Sequence, residues 1–231
     1  MKDYTTIFFD LDHTLWDYEA NSREALLDLH AQYDLASKGV TSVDDLCFHF
    51  KRVNTELWDL YDRNLITSEI IRQERFKQIL EAFGAFEQKL CDDLSHDYLN
   101  NCPLKCNLMP DAVETLEYLS KKYRMTIVTN GFEEIQNIKL TSGRITHFFQ
   151  HVITSQKAGH RKPAREIFEY ALQINGSTPA ETIMIGDNLI TDIGGAKNAS
   201  IDTVFFNPEG LEHNVEVHYQ IKALGELQEI L

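Results

Sequence analysis

The chain is short of positive charge, of cysteine and of long apolar runs. Its 22 Lys and Arg face 36 Asp and Glu, a formal net charge of −14 over 231 residues. Affinity for a nucleic-acid backbone comes mainly from Lys and Arg, so no nucleic-acid polymer is expected as a partner. A small phosphorylated substrate is still compatible, because charge is screened over about 8 Å at physiological salt and a few local cations then dominate. Of the four cysteines, Cys47, Cys91, Cys102 and Cys106, only the last two are close in sequence. No histidine lies beside them at zinc-finger spacing, which leaves free thiols as the reading. Nothing approaches the roughly 20-residue apolar run of a membrane span. Met1-Lys2-Asp3-Tyr4-Thr5 run directly into a strand-like segment with no room for a signal peptide, so a cytoplasmic location is expected. The 43 % hydrophobic and 25 % charged residues are those of an ordinary globular protein.

Against that background one stretch stands out, Phe8-Phe9-Asp10-Leu11-Asp12-His13-Thr14-Leu15. Two carboxylates follow an apolar, β-like run, two residues apart. On extended backbone such residues share a face. Like charges so close repel and raise one another's pKa unless a cation lies beside them. That suits a metal-dependent nucleophile and acid. A solvated turn with Asp and Thr as helix caps is the plainer alternative.

Four further short apolar runs resemble Ile7–Phe9: Met125–Val128, His151–Ile153, Thr182–Ile185 and Thr203–Phe206. Helical patterns lie between them. Pro110 to Lys122 carries Val113, Leu116 and Leu119 at helical spacing, and Pro163 to Gln173 opens with Pro at an expected first-turn position. Alternating strands and helices predict an α/β fold with a parallel sheet covered on both faces. Residues 17–103 differ, with no strand signal. Val43, Leu46, Phe50, Val53, Leu57 and Leu60-Tyr61 follow helical spacing behind a Ser42/Asp45 capping box, and Ile70 to Phe83 and Leu90 to Tyr98 continue in the same way. We expect a core of residues 1–16 and 104–231 with a helical domain, 17–103, inserted between them.

Ligands of open parallel sheets bind beyond the carboxyl ends of the strands. The first strand ends in Asp10 and Asp12, the second in Thr129-Asn130-Gly131, and the fourth in Gly186-Asp187-Asn188, running on to Asp192. After the third, a loop from Ser155 to Arg161 leads to Lys162-Pro163. Three or four acidic groups make an oxygen-ligand site for a hard cation, Mg²⁺. Thr129, the backbone N–H groups after it and Lys162 make an anion site beside it. A carboxylate nucleophile, a second carboxylate, a cation and a phosphate cradle are the parts of phosphoryl transfer through an aspartyl-phosphate. Taken singly, Thr129-Asn130-Gly131 and Gly186-Asp187 read as turns and Lys162 as a solvated lysine; it is their joint occurrence in this order that carries the argument.

The four segments, Asp10-Leu11-Asp12-His13-Thr14, Val128-Thr129-Asn130-Gly131, Arg161-Lys162-Pro163 and Gly186-Asp187 through Asp192, resemble the four motifs of haloacid-dehalogenase-superfamily phosphatases with a helical cap inserted after the first motif. Phe8-Phe9-Asp10, Thr129-Asn130-Gly131-Phe132 and Ile66-Thr67-Ser68 are further similar to bacterial pyrimidine-type nucleoside 5′-monophosphatases. The resemblance implies a Rossmann-like core, Asp10 as nucleophile and Asp12 as acid and then base. It implies Mg²⁺ on the Asp10 carboxylate, the Asp12 main-chain carbonyl and Asp187, and phosphate held by Thr129, Asn130 and Lys162. Asp192 and Asn188 would stand behind the metal and the lysine. One departure is His13, where the family often has Gly; it reads either as a leaving-group or cap contact or as an exposed filler.

The expected substrate is a small phosphorylated metabolite, first a nucleoside 5′-monophosphate. A sugar-phosphate phosphatase or phosphosugar mutase is the alternative. A haloacid dehalogenase needs neither metal nor an acid at position 12, and a non-catalytic binding protein would leave the clustered charges unused. Trp16, Trp58, Tyr61 and Phe132 could stack on a nucleobase, though such aromatics more often belong to a core.

Overall fold

Thr6–Phe9 (β1) is buried at every position. Its aromatic and β-branched side chains suit a strand covered on both faces. In the computed structural model, which describes residues 3–231, this strand lies inside a six-stranded sheet; Met1 and Lys2 lie outside the described residues. The other strands are Arg124–Thr129 (β2), Phe149–Thr154 (β3), Thr182–Gly186 (β4), Asp202–Phe206 (β5) and Tyr219–Ile221 (β6). All pairings are parallel, in the order β3-β2-β1-β4-β5-β6. Phe9 is opposite Ile127 on one side and Ile185 on the other, so β1 ends two residues short of the end of β2 and one short of the end of β4. The order runs in opposite directions from β1, which opens a crevice at the carboxyl ends. The α/β parallel-sheet expectation is met. The sequence pattern had suggested five strands. β6 carries no apolar run, because as a three-residue edge strand it buries only Ile221.

The chain forms two compact units, one comprising the segment up to Tyr18 with Cys106–Leu231, the other Glu19–Lys105. The second is wholly helical: Tyr18–Gln32 (α1, whose first residue belongs to the sheet unit), Val43–Asp62 (α2), Ser68–Ala82 (α3) and Gln88–Asn101 (α4). Ser42 caps α2 by accepting the Asp45 N–H at 3.1 Å. Leu46, Phe50, Val53, Leu57 and Tyr61 form its buried stripe. Arg75 of α3 is buried among the rings of Phe50, Phe76 and Tyr98 and donates to Asn54 Oδ1 at 3.1 Å. Among the described residues no helix is long and apolar enough to cross a membrane.

The helices of the sheet unit are Ala112–Leu119 (α5), Glu133–Ser142 (α6), Ser155–Ala158 (α7), Arg165–Asn175 (α8), Gly195–Asn198 (α9) and Leu227–Ile230 (α10). Three local expectations need correction. Val113 is exposed, the buried face of α5 being Ala112, Thr115, Leu116 and Leu119. The Ser155 to Arg161 loop begins as α7, with Thr154 Oγ1 accepting the Lys157 N–H. Pro163 is not in the first turn of α8: its bond to Lys162 is cis, and the helix starts at Arg165. Behind the sheet, Phe8, Val128, Ile153, Ile167, Phe168 and Met184 belong to one buried cluster. Each such side chain contributes about 1.5–3 kcal/mol by leaving water.

Candidate active site

Asp10 follows the last residue of β1 and keeps the strand's register, its N–H donating to the Ile185 carbonyl of β4 at 2.9 Å. Lys162 Nζ lies 2.6 Å from Asp10 Oδ1 and 2.6 Å from Asp192 Oδ1. All three residues are buried. Asp10, Asp187 and Asp192 each place a carboxylate oxygen within 4.8 Å of the others. Thr14, in the turn after β1, donates to Asp187 Oδ1 at 2.9 Å.

Asp192 comes from a π-helical turn, Leu189–Gly194. Asn188 starts it: its Oδ1 accepts from Ile190 N and Thr191 N, and its own N–H donates to Asp192 Oδ2 at 3.0 Å. Asp192 packs so tightly under Gly186 that a Cβ at that position would overlap its carboxylate. Thr129 is buried at the end of β2, with Oγ1 accepting the Gly131 N–H at 3.0 Å. Asn130 clasps the Lys162 backbone from both sides, accepting its N–H at 2.8 Å and donating to its carbonyl at 2.9 Å. The loop after β2 and the lysine are thereby one rigid piece.

Three carboxylates around one ammonium leave a buried excess of negative charge. Burial above all, with Asp192 and Asp187 adding to it and Lys162 opposing, holds the Asp10 carboxyl well above its ordinary range. Burial and then the Asp192 charge push Asp187 up to about 7, against the Thr14 hydrogen bond and Lys162. For Lys162, burial disfavours the cation, but Asp10 and Asp192 outweigh it and its pKa rises. A divalent ion would relieve this repulsion, and hard carboxylate oxygens are the donors such an ion takes. The residues present therefore fit a bound metal.

Asp12 stands apart from this trio. Lys139 Nζ of α6 donates to its Oδ1 at 2.6 Å and its Oδ2 at 2.7 Å. The same ammonium lies 4.4 Å from the centre of the Trp16 ring and 5.6 Å from that of Tyr18. One turn earlier, buried Gln136 donates to the Phe132 carbonyl at 2.9 Å, bracing the loop after β2. The sequence patterns pointed to neither Lys139 nor Gln136. His13 has φ 63°, in the left-handed region that favours glycine, and its ring packs 4.9 Å from Tyr18. Of the candidate stacking aromatics, Trp16, Tyr61 and Phe132 are buried and Trp58 is half-buried.

The sequence signature of the haloacid dehalogenase-like hydrolases matches residues 7–206. The chain belongs to this family. It is 29 % identical to the HAD-hydrolase YfnB of Bacillus subtilis over 240 residues, covering 100 % of this chain and 97 % of that protein. It is 29 % identical to the pyrimidine 5′-nucleotidase PynA of Streptococcus pneumoniae, covering 99 % and 95 %. It is also 29 % identical to human N-acylneuraminate-9-phosphatase, covering 97 % and 92 %. The crystal structure of YfnB bound to magnesium superposes with a TM-score of 0.89 at 27 % identity, covering 99 % of both chains.

Proposed function

We propose that this family member is a Mg²⁺-dependent phosphomonoester hydrolase working through an aspartyl-phosphate on Asp10, with a nucleoside 5′-monophosphate as preferred substrate. The observation that carries the reading is Lys162 held at 2.6 Å from both Asp10 and Asp192 beside Asp187. A buried carboxylate at a strand end, paired with a lysine and next to two more carboxylates, suits attack on a phosphoryl group better than it suits a structural ion pair.

On this reading an Asp10 carboxylate oxygen attacks phosphorus in line, and the bond from phosphorus to the leaving oxygen breaks. Asp12 gives its proton to that oxygen. It then takes a proton from the water that hydrolyses the Asp10–phosphorus bond, so each residue ends as it began. Thr129 Oγ, the Asn130 main-chain N–H and Lys162 Nζ hold the phosphoryl oxygens through the transition state. Asp10, Asp187 and the Asp12 main-chain carbonyl would hold Mg²⁺, with Asp192 fixing Lys162 behind them. When bound, the ion supplies positive charge that offsets repulsion between the carboxylate and the phosphate.

The nucleotide preference is drawn from likeness to PynA. Likeness at the same identity to N-acylneuraminate-9-phosphatase supports a sugar phosphate as second reading. A phosphate-release screen over nucleoside monophosphates and sugar phosphates, with Mg²⁺ and with chelator, tests both. Release from nucleotides that stops with chelator and in Asp10→Asn is expected. Release from no ester, or full activity in Asp10→Asn, ends the proposal.

A further inference from the structure

Lys139 belongs to none of the four motif segments, yet it is buried and both its hydrogen bonds run to the carboxylate oxygens of Asp12, 127 residues away. Lysines are rarely buried unless paired, because taking an ammonium out of water is costly. Here the cost is met by one acid and by the faces of two rings, Trp16 and Tyr18. Both rings lie shortly after Asp12 in sequence, in the segment that leaves β1. Trp16 is itself anchored, since its N–H donates to the Leu11 carbonyl at 2.9 Å and its carbonyl accepts the His13 N–H at 3.0 Å. The Asp12 loop thus curls round the lysine, and the lysine pins the carboxylate from inside that curl.

The pin matters because Asp12 is otherwise free to turn about two side-chain bonds. A proton-transferring group acts only when it stands within hydrogen-bond reach of the reacting oxygen, and losing that placement costs much of its effect. Lys162 and Asp192 hold Asp10. Asp12 is gripped separately, by a helix that also braces the loop after β2 through Gln136.

We infer that Lys139 is a positioning residue for Asp12, fixing where the proton-transferring carboxylate stands relative to Asp10. The inference rests on the phosphatase reading above and adds to it a role outside the four motifs. It has a consequence that a purely structural lysine would not share. Expulsion of an alkoxide needs a proton from Asp12, whereas p-nitrophenolate leaves without one. Loss of Lys139 must then slow an alkyl phosphate more than p-nitrophenyl phosphate.

The test is kcat/KM, which reports the step that expels the leaving group, for p-nitrophenyl phosphate and for the alkyl monoester that the parent hydrolyses best in the phosphate-release screen above. It is measured with Mg²⁺ on the parent and on Lys139→Met. The ratio of the two constants from one preparation is independent of how much protein is folded. In the variant we expect the alkyl ester to fall by about 100-fold and the aryl ester by about tenfold less. If Lys139→Met does not fold, Lys139→Gln, which keeps N–H donors without the charge, is compared on the same two esters, with a smaller difference between them expected. Equal falls for both esters, or no fall, overturn the inference while leaving the phosphatase reading intact. A parent that releases phosphate from no ester, nucleotides and sugar phosphates included, overturns both.

Discussion

Asp187→Asn should make the metal-free protein more stable while abolishing its response to Mg²⁺. Burial and the Asp192 charge raise the Asp187 carboxyl from 3.8 to about 7. A carboxyl whose pKa rises on folding favours the folded state in acid; that advantage is full below 3.8 and is lost as pH climbs through about 7. Integrating between the two values, the raised pKa of Asp187 disfavours the folded state, relative to an unfolded chain that ionises freely, by about 4 kcal/mol at pH 8 and about 2 kcal/mol at pH 5. The residue keeps some solvent access, so we take about half of each. Asparagine carries no charge, and its Oδ1 can accept the same Thr14 hydrogen bond, 2.9 Å long in the parent. In chelator the variant should therefore gain roughly 2 kcal/mol at pH 8 and about 1 kcal/mol at pH 5. For a chain of this size that is about 4–8 °C and 2–4 °C in Tm. Thermal melts of both proteins in chelator at the two pH values check it, followed by Mg²⁺ titration at pH 8. A variant that melts no higher than the parent, or a gap that does not widen with pH, would refute the account of crowded charge.

Lys162→Met removes the cation paired with both Asp10 and Asp192 and should cost about 3–5 kcal/mol in a denaturant melt in chelator, as breaking a buried pair does. Gly186→Ala drives a methyl into the Asp192 carboxylate; the expected penalty is about 1–3 kcal/mol with phosphatase activity largely lost, read from the same melt and from phosphate release. Mg²⁺ should raise the parent's Tm more at pH 8 than at pH 6, because metal ligands must be deprotonated and Asp187 titrates at about 7. Phe168→Ala, at a fully buried position in the cluster behind the sheet, should cost about 3–5 kcal/mol by calorimetry without moving the metal response.

The strands that build the crevice were legible because each is buried on both faces, so that composition alone separates Ile7–Phe9 or Thr182–Ile185 from an amphipathic helix. The acidic groups at their ends were legible for the opposite reason: Asp10 and Asp187 interrupt apolar runs where a core strand would have no use for them. Lys139 could not be found in the same way. In α6 it follows Glu133, Glu134 and Gln136 and looks like a solvated position; only the fold brings Asp12 to it. The aromatics were ambiguous for a related reason, since Trp16 has equal claim by composition to a core and to a binding face, and its place against Lys139 depends on the turn after β1. His13 shows a third kind of signal. Its φ of 63° lies in the left-handed region that glycine tolerates, an angle that a histidine in the sequence does not announce.

The central place of β1 has a consequence for how the protein is made. The ribosome delivers Phe8 and Phe9 first, yet Ile127 and Ile185, their neighbours in the sheet, emerge far later. At 5–20 residues per second the nascent segment waits on the order of 10–35 s for its second flank. During that interval the apolar segment Thr6–Phe9 is without the strands that flank it in the finished sheet. Completion of the sheet therefore waits on the emergence of Ile185, however stable the finished protein is.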